Sequence, residues 1–278
     1  MAVLERNGNL NIWWFPKEFS QSRYGEYHHS GSNSCTLITL ILANMVAKEG
    51  RGFQCQRMQD LPPRAIEIFA EAINRGNSAY AHYITGNVGG QDSAMSMQTA
   101  NNQNLNIPDA LNVLKHQPHF RLKEWFFTHM QADPERESSH TIALRLLQAL
   151  NAGVQLFRRT GKANKHFLFA AMISDHRTVL FVIEFPANII TFFDSHQHGR
   201  DAGAVVAQCT LRDLFDMMTW FVTMNHDVYS SQPTIYELSF LLPDPSGLPV
   251  PDKAEKTEKT SVAQHSKNIS LAKKMQKK

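Results

Sequence analysis

Cysteine is scarce here: Cys35, Cys55 and Cys209 are the only three in 278 residues. Odd in number and widely spaced, they make no disulfide framework, and no CxxC pair offers a zinc site. No metal or cofactor is expected, and a reducing compartment, cytoplasmic or nuclear, is the default. Long apolar runs are also missing. None reaches the roughly 18 residues of a membrane-spanning helix, so no membrane span is expected. The opening stretch MAVLERNGNLNIWWF lacks a basic region followed by an apolar core, so no signal peptide is expected. Net positive charge is lacking too, except at one end. From Asp252 to Lys278 there are eight lysines and three acidic residues, a net of +5, which leaves the rest at −2 against +3 for the whole chain. A general nucleic-acid-binding surface on the body is therefore not indicated.

What is present is apolar content, 42% of the chain, enough for one large domain over residues 1–250. Its centre of gravity is Thr178–His198, TVLFVIEFPANIITFFDSHQH. Two short runs rich in β-branched and aromatic residues, Val179–Phe185 and Ile189–Phe193, flank a turn at Pro186-Ala187-Asn188. That predicts a hairpin of buried strands. The second run stops at Asp194-Ser195-His196. If the pleat continued, residues i and i+2 would share a face, bringing Asp194 and His196 together. A carboxylate beside an imidazole holds the ring in one tautomer and stabilises its charged form. The plainer reading is a polar strand terminus.

Upstream, residues 1–30 are aromatic and punctuated by Pro16 and Gly25, predicting an extended segment pinned by its rings. The loop Ser30–Ser34 precedes Cys35 and the run TLITLILANMVAKEG, which predicts a buried helix with a glycine stop at Gly50 and a cap at Asn33 or Ser34. Cys35 then sits in the first helical turn. Free backbone N–H groups and the positive end of the helix dipole favour thiolate there, and the loop N–H groups could face a developing oxyanion. The plainer reading is a buried cysteine packing as a small hydrophobe. Further helices are predicted over Leu61–Arg75, after Ile107-Pro108-Asp109, over 138–152 and over Leu211–Asn225. Tyr80–Ile84 and Arg121–Met130 are ambiguous between strand and helix, and 85–106 reads as a long polar surface loop. Strands are predicted at His166–Ile173 and Ile235–Leu242, with a loop at Gly199–Gly203 between them. Prolines 243, 245, 249 and 251 close the domain. The tail 251–278 should be disordered and dispensable. It reads as a solubilising appendage, with nuclear or RNA-associated attachment as the alternative. The plan is α+β: a buried helix packed on a mostly antiparallel sheet.

SNSC around Cys35 and FFDSHQHG around Asp194 and His196 resemble papain-like cysteine proteases in which acid and base lie two residues apart, acid first. The herpesvirus tegument deubiquitinases and the UFM1-specific proteases share that layout. The resemblance covers about a tenth of the chain directly. It implies a papain-like fold, Cys35 as nucleophile, His196 as base and Asp194 as orienter, acting by acyl transfer on ubiquitin or a ubiquitin-like protein through a thioester. It also implies a polar oxyanion donor upstream of the cysteine; Gln21 is the first candidate, His29 and Asn33 the next. A second ordering, Cys35 with His166 and Asp194, stays open, as does His198 in place of His196. A protease-like scaffold that binds without cleaving is the alternative function.

Overall fold

Two tight turns organise the centre of the molecule. The computed structural model describes residues 2–28, 32–50, 52–53, 61–86, 104–161 and 167–244. Strands β4 (Phe167–Ser174) and β5 (Arg177–Glu184) are joined by Asp175 and His176 alone, at φ 47° and 63°. Consecutive left-handed residues match the right-handed twist of the flanking strands. Strand β6 (Ile189–Asp194) follows a turn in which Asn188 takes the left-handed position, φ 56°. These are the predicted buried strands. Apart from Arg177, every residue of β5 is buried, because helices cover both faces of the sheet.

The remaining strands are β1 (Val3–Asn7), β2 (Leu10–Pro16), β3 (Leu122–Gln131), β7 (Ala202–Thr210) and β8 (Ile235–Pro243). The sheet has eight strands in the order β1-β2-β7-β6-β5-β4-β8-β3. Every neighbouring pair runs antiparallel. On one face lie α1 (Cys35–Glu49), α2 (Pro63–Gly86) and α3 (Ile107–Leu114); on the other lie α4 (Ser139–Arg159) and α5 (Leu214–Tyr229). The class is α+β, as expected, with the antiparallel sheet between helical layers. Among the described residues no helix is long and apolar enough to cross a membrane.

Helix α1 is apolar all round because it is enclosed all round: each residue from Cys35 to Val46 is buried, between β5 on one side and α2 and α3 on the other. Its few polar side chains are satisfied locally. Thr36 Oγ1 donates to the Leu105 carbonyl at 2.7 Å and lies 2.8 Å from Thr178 Oγ1, while Asn44 Oδ1 accepts the Arg121 N–H at 2.9 Å. Gly50 ends the helix at φ 67° with its N–H on the Val46 carbonyl. The α1–α2 contact depends on Gly76. A Cβ there would stand 2.3 Å from Ile38 Cγ1 and 2.9 Å from the Ile38 backbone. Gly76→Ala should therefore cost about 1–3 kcal/mol by forcing the two helices apart, despite alanine's better helix propensity. A urea melt with unchanged midpoint would refute this.

Several expectations are corrected. Residues 1–30 are not merely extended: β1 and β2 form a hairpin, and β2 pairs with β7 inside the sheet. Leu10 and Ile12 pack on one face while Trp13 and Phe15 pack on the other, which hides the two-residue period. The expected loop at Gly199–Gly203 leads straight into strand β7, which holds Cys209. Tyr80–Ile84 belongs to α2, which runs beyond the expected Arg75 to Gly86. Arg121–Met130 resolves as β3. The tail 251–278, most of the polar stretch 85–106, Cys55, His29 and His166 lie outside the described residues.

Candidate active site

Cys35 is the first residue of α1. Ser34, the N-cap, makes no side-chain capping bond; its hydroxyl instead donates to Asn77 Oδ1 at 2.5 Å. The thiol is buried, and Sγ lies 3.9 Å from the carbonyl of His176 in the β4–β5 turn. That turn thus forms one wall beside the nucleophile.

Asp194 and His196 do meet, but not by continued pleating. Strand β6 ends at Asp194, whose place in the alternation puts it with Ile190 and Phe192, on the α4–α5 side. The chain then folds back. Asp194 Oδ1 accepts the His196 backbone N–H at 2.9 Å and lies 2.5 Å from His196 Nδ1. One carboxylate oxygen therefore shapes the turn and orients the ring. This turn carries His196 round the end of the sheet to Cys35.

The electrostatics follow from that convergence. Burial alone would raise the Cys35 pKa, but the hydrogen bond and charge of His196, with support from Thr178, bring it below the ordinary thiol value. Burial would likewise depress His196; the Asp194 carboxylate and then Cys35 overcome this and raise it to about 10. Burial works against the Asp194 charge as well, yet the imidazoles of His196 and His198 hold its carboxyl well below the usual range. The arrangement favours a thiolate–imidazolium pair with an ionised carboxylate behind it.

Gln21 reaches the same place. Its backbone N–H donates to the Ser195 carbonyl at 2.8 Å, and its side-chain Oε1 accepts from Ser195 Oγ at 2.9 Å. Nε2 donates one hydrogen to the Ser32 carbonyl at 2.7 Å, leaving the other for the cleft that Gln21 lines with Cys35 and His196. Asn33 lines this cleft too, but its side chain is hydrogen-bonded to Tyr80. The cleft has a volume of about 360 Å³. It is also lined by Asp175, Arg177 and Tyr229, with the Arg177 guanidinium 3.8 Å from the centre of the Tyr229 ring.

All four sequence-derived site residues, Cys35, His196, Asp194 and Gln21, are therefore neighbours. Cys209 is elsewhere: burial and the nearby Asp213 and Asp216 push its thiol upward, the opposite of Cys35. Arg177, Tyr229 and the Asp175–His176 turn went unnoticed as wall residues. A β-turn and a helix C-terminus carry no chemical signature, and only the fold brings them together.

A cysteine at the head of a buried helix thus faces an imidazole–carboxylate pair at the end of an antiparallel strand, an arrangement with the chemistry of a thiol nucleophile, a base and a group that orients the base. No protein-family profile matches the chain, and no curated protein matches it. Among solved structures it is similar to the Pseudomonas avirulence protein AvrPphB, at 8% identity and TM-score 0.40, over 76% of this chain and 92% of that one. It is also similar to the ubiquitin-specific protease of murine cytomegalovirus tegument protein M48, determined with a ubiquitin-based suicide substrate, at 12% identity and TM-score 0.45, over 87% of this chain and 90% of that one.

Proposed function

We propose that the chain is a thiol protease or isopeptidase that releases ubiquitin or a ubiquitin-like modifier. The observation carrying this reading is the convergence of Cys35 and His196 on one cleft, with Asp194 bound to the His196 ring behind it. The choice of modifier rests on the likeness of FFDSHQHG and SNSC to the tegument enzymes. The Cys35 thiolate attacks the scissile carbonyl carbon, and the carbonyl π pair moves to oxygen. That oxyanion is met by the Cys35 N–H and the second Nε2 hydrogen of Gln21. On collapse the C–N bond breaks, and His196 gives its proton to the leaving amine. Water then adds to the thioester, passing a proton to His196. The acid is released and the thiolate–imidazolium pair restored. Asp194 keeps the ring in place throughout.

The test is a ubiquitin-family probe with a C-terminal electrophile. A covalent adduct located on Cys35 by peptide mass, and lost in Cys35→Ala, is expected. Absence of an adduct across the modifier family, with Cys35 alkylated no faster than Cys55 and Cys209, would make the chain a scaffold that binds without cleaving.

A pH profile checks the electrostatics. Alkylation of Cys35 by iodoacetamide should reach half its plateau rate below the free-thiol value of about 8.5. Cys209 should reach it only above that value, because its pKa is raised. Coincident profiles would remove the argument for an activated thiol.

A further inference from the structure

Asn77 stands in the middle of α2 and is buried, yet no step above uses it. A buried amide needs hydrogen-bond partners at both its ends, and this one finds them on two separate segments. Its Oδ1 accepts from Ser34 Oγ at 2.5 Å and from Ser32 Oγ at 3.2 Å, and those two hydroxyls lie 2.8 Å apart. Its Nδ2 donates to the backbone carbonyl of Gln21 at 2.9 Å. That last partner fixes which way round the amide sits. Turned over, it would set its oxygen against the Gln21 carbonyl, acceptor against acceptor.

Helix α2 holds the rest of the approach to Cys35 as well. Asn33, between the two serines, is hydrogen-bonded to Tyr80, about one turn further along the helix. Gly76, beside Asn77, lets α2 close on Ile38 of α1. The three residues before the nucleophile are thus tied to one helix. Gln21 is tied to the same place: its Nε2 donates to the Ser32 carbonyl, while its own carbonyl accepts from Asn77. The Gln21 segment and the Ser32–Ser34 segment are therefore joined twice, once by the Gln21 amide and once by the Asn77 amide.

We propose that Asn77 is a positioning residue that sets the spacing of the two oxyanion donors, the Cys35 N–H and the second Nε2 hydrogen of Gln21. The proposal rests on the catalytic reading given above. Those donors belong to different segments, and both have to come within about 3 Å of one oxygen atom. Asn77 fixes their separation from behind. One end of its amide holds the Gln21 backbone, and the other holds the hydroxyl of Ser34, the residue next to Cys35. A misplacement of about 1 Å is enough to cost on the order of a hundredfold in rate.

Two measurements on the full chain test this. The first separates acyl transfer from thiol reactivity. Alkylation of Cys35 by iodoacetamide develops no oxyanion, and among the described residues Asn77 makes no hydrogen bond to Cys35 or His196. The substrate is the C-terminal aminocoumarin amide of the modifier whose probe labels Cys35. In Asn77→Ala its kcat should fall by about ten- to a hundredfold with KM little changed. Alkylation of Cys35 at pH 6 should stay close to the parent rate. An unchanged kcat overturns the proposal, and so do equal falls in kcat and alkylation, which would mean a general loosening of the site. The second measurement needs no variant and no substrate. Hydrogen exchange at the side-chain amides of the nitrogen-labelled parent should find one Asn77 hydrogen and one Gln21 hydrogen far slower than those of an exposed amide. Fast exchange at Asn77 overturns the proposal even where the variant does not fold. No adduct on Cys35 would end the catalytic reading and this proposal with it. An adduct together with fast exchange at Asn77 would end this proposal alone.

Discussion

Cys35 in a His196→Ala protein is expected to react with iodoacetamide at pH 6 about a hundredfold more slowly than in the parent, because the thiol pKa rises once the imidazole is gone. The direction follows from the balance at the sulfur. Burial raises the thiol pKa, and the hydrogen bond and charge of His196 are the principal influences that reverse it. Without the imidazole, burial prevails and the thiol stays protonated. Peptide mass after timed labelling gives the rate at each cysteine, and Cys209 supplies the internal control, because its surroundings do not change. An equal rate in parent and variant would mean that His196 does not activate Cys35. The base would then have to be sought elsewhere, with His166 next in line.

Asp194→Ala should be the most damaging single change to stability. The carboxylate is buried and meets two imidazole nitrogens, at 2.5 Å and 3.2 Å. Removing one member of such a buried set leaves its partners uncompensated, at a cost of about 3–5 kcal/mol, or a fall in Tm on the order of 10 °C for a domain of this size. The loss should also depend on pH. Asp194 has a lowered pKa, so its stabilisation is fully present above the unfolded value of about 3.9 and disappears as pH falls through the folded one. His196 has a raised pKa, so its share is fully present below about 6.5 and is gone once pH has risen past about 10. The gap between parent and variant should therefore be widest from about pH 4 to pH 6.5 and narrow on either side. A gap that stays constant from pH 4 to pH 10 would show that these ionisations do not contribute.

Where a residue's role follows from its neighbours in sequence, it was legible in advance. Cys35 announces itself because a small polar loop runs into a long apolar stretch, which is how a buried helix begins. Asp194 and His196 announce themselves because a hydrophobic strand stops on a charge. The expected link between them, continued pleating, was wrong in detail: the contact comes from a turn closed by the Asp194 carboxylate itself. Strand β7 was missed for a different reason. AGAVVAQCT is made largely of small residues, and its strand character comes from pairing with β2 and β6 on either side. The aromatic opening was misread because both faces of β2 are covered, which removes the alternation that marks a half-exposed strand. Arg177 and Tyr229 lie 52 residues apart and share the cleft only once β5 and α5 are in place.

Ser195 occupies the position that an Asp-x-His pattern leaves blank. Its carbonyl and hydroxyl are both engaged by Gln21, one through the backbone and one through the side chain. Gln21 therefore ties the turn that carries His196 to the segment that leads into α1, through Ser195 on one side and the Ser32 carbonyl on the other. Position 195 should accept only residues that keep a short hydroxyl, because any other side chain loses the bond to Gln21 Oε1 and loosens the tie between the His196 turn and that segment.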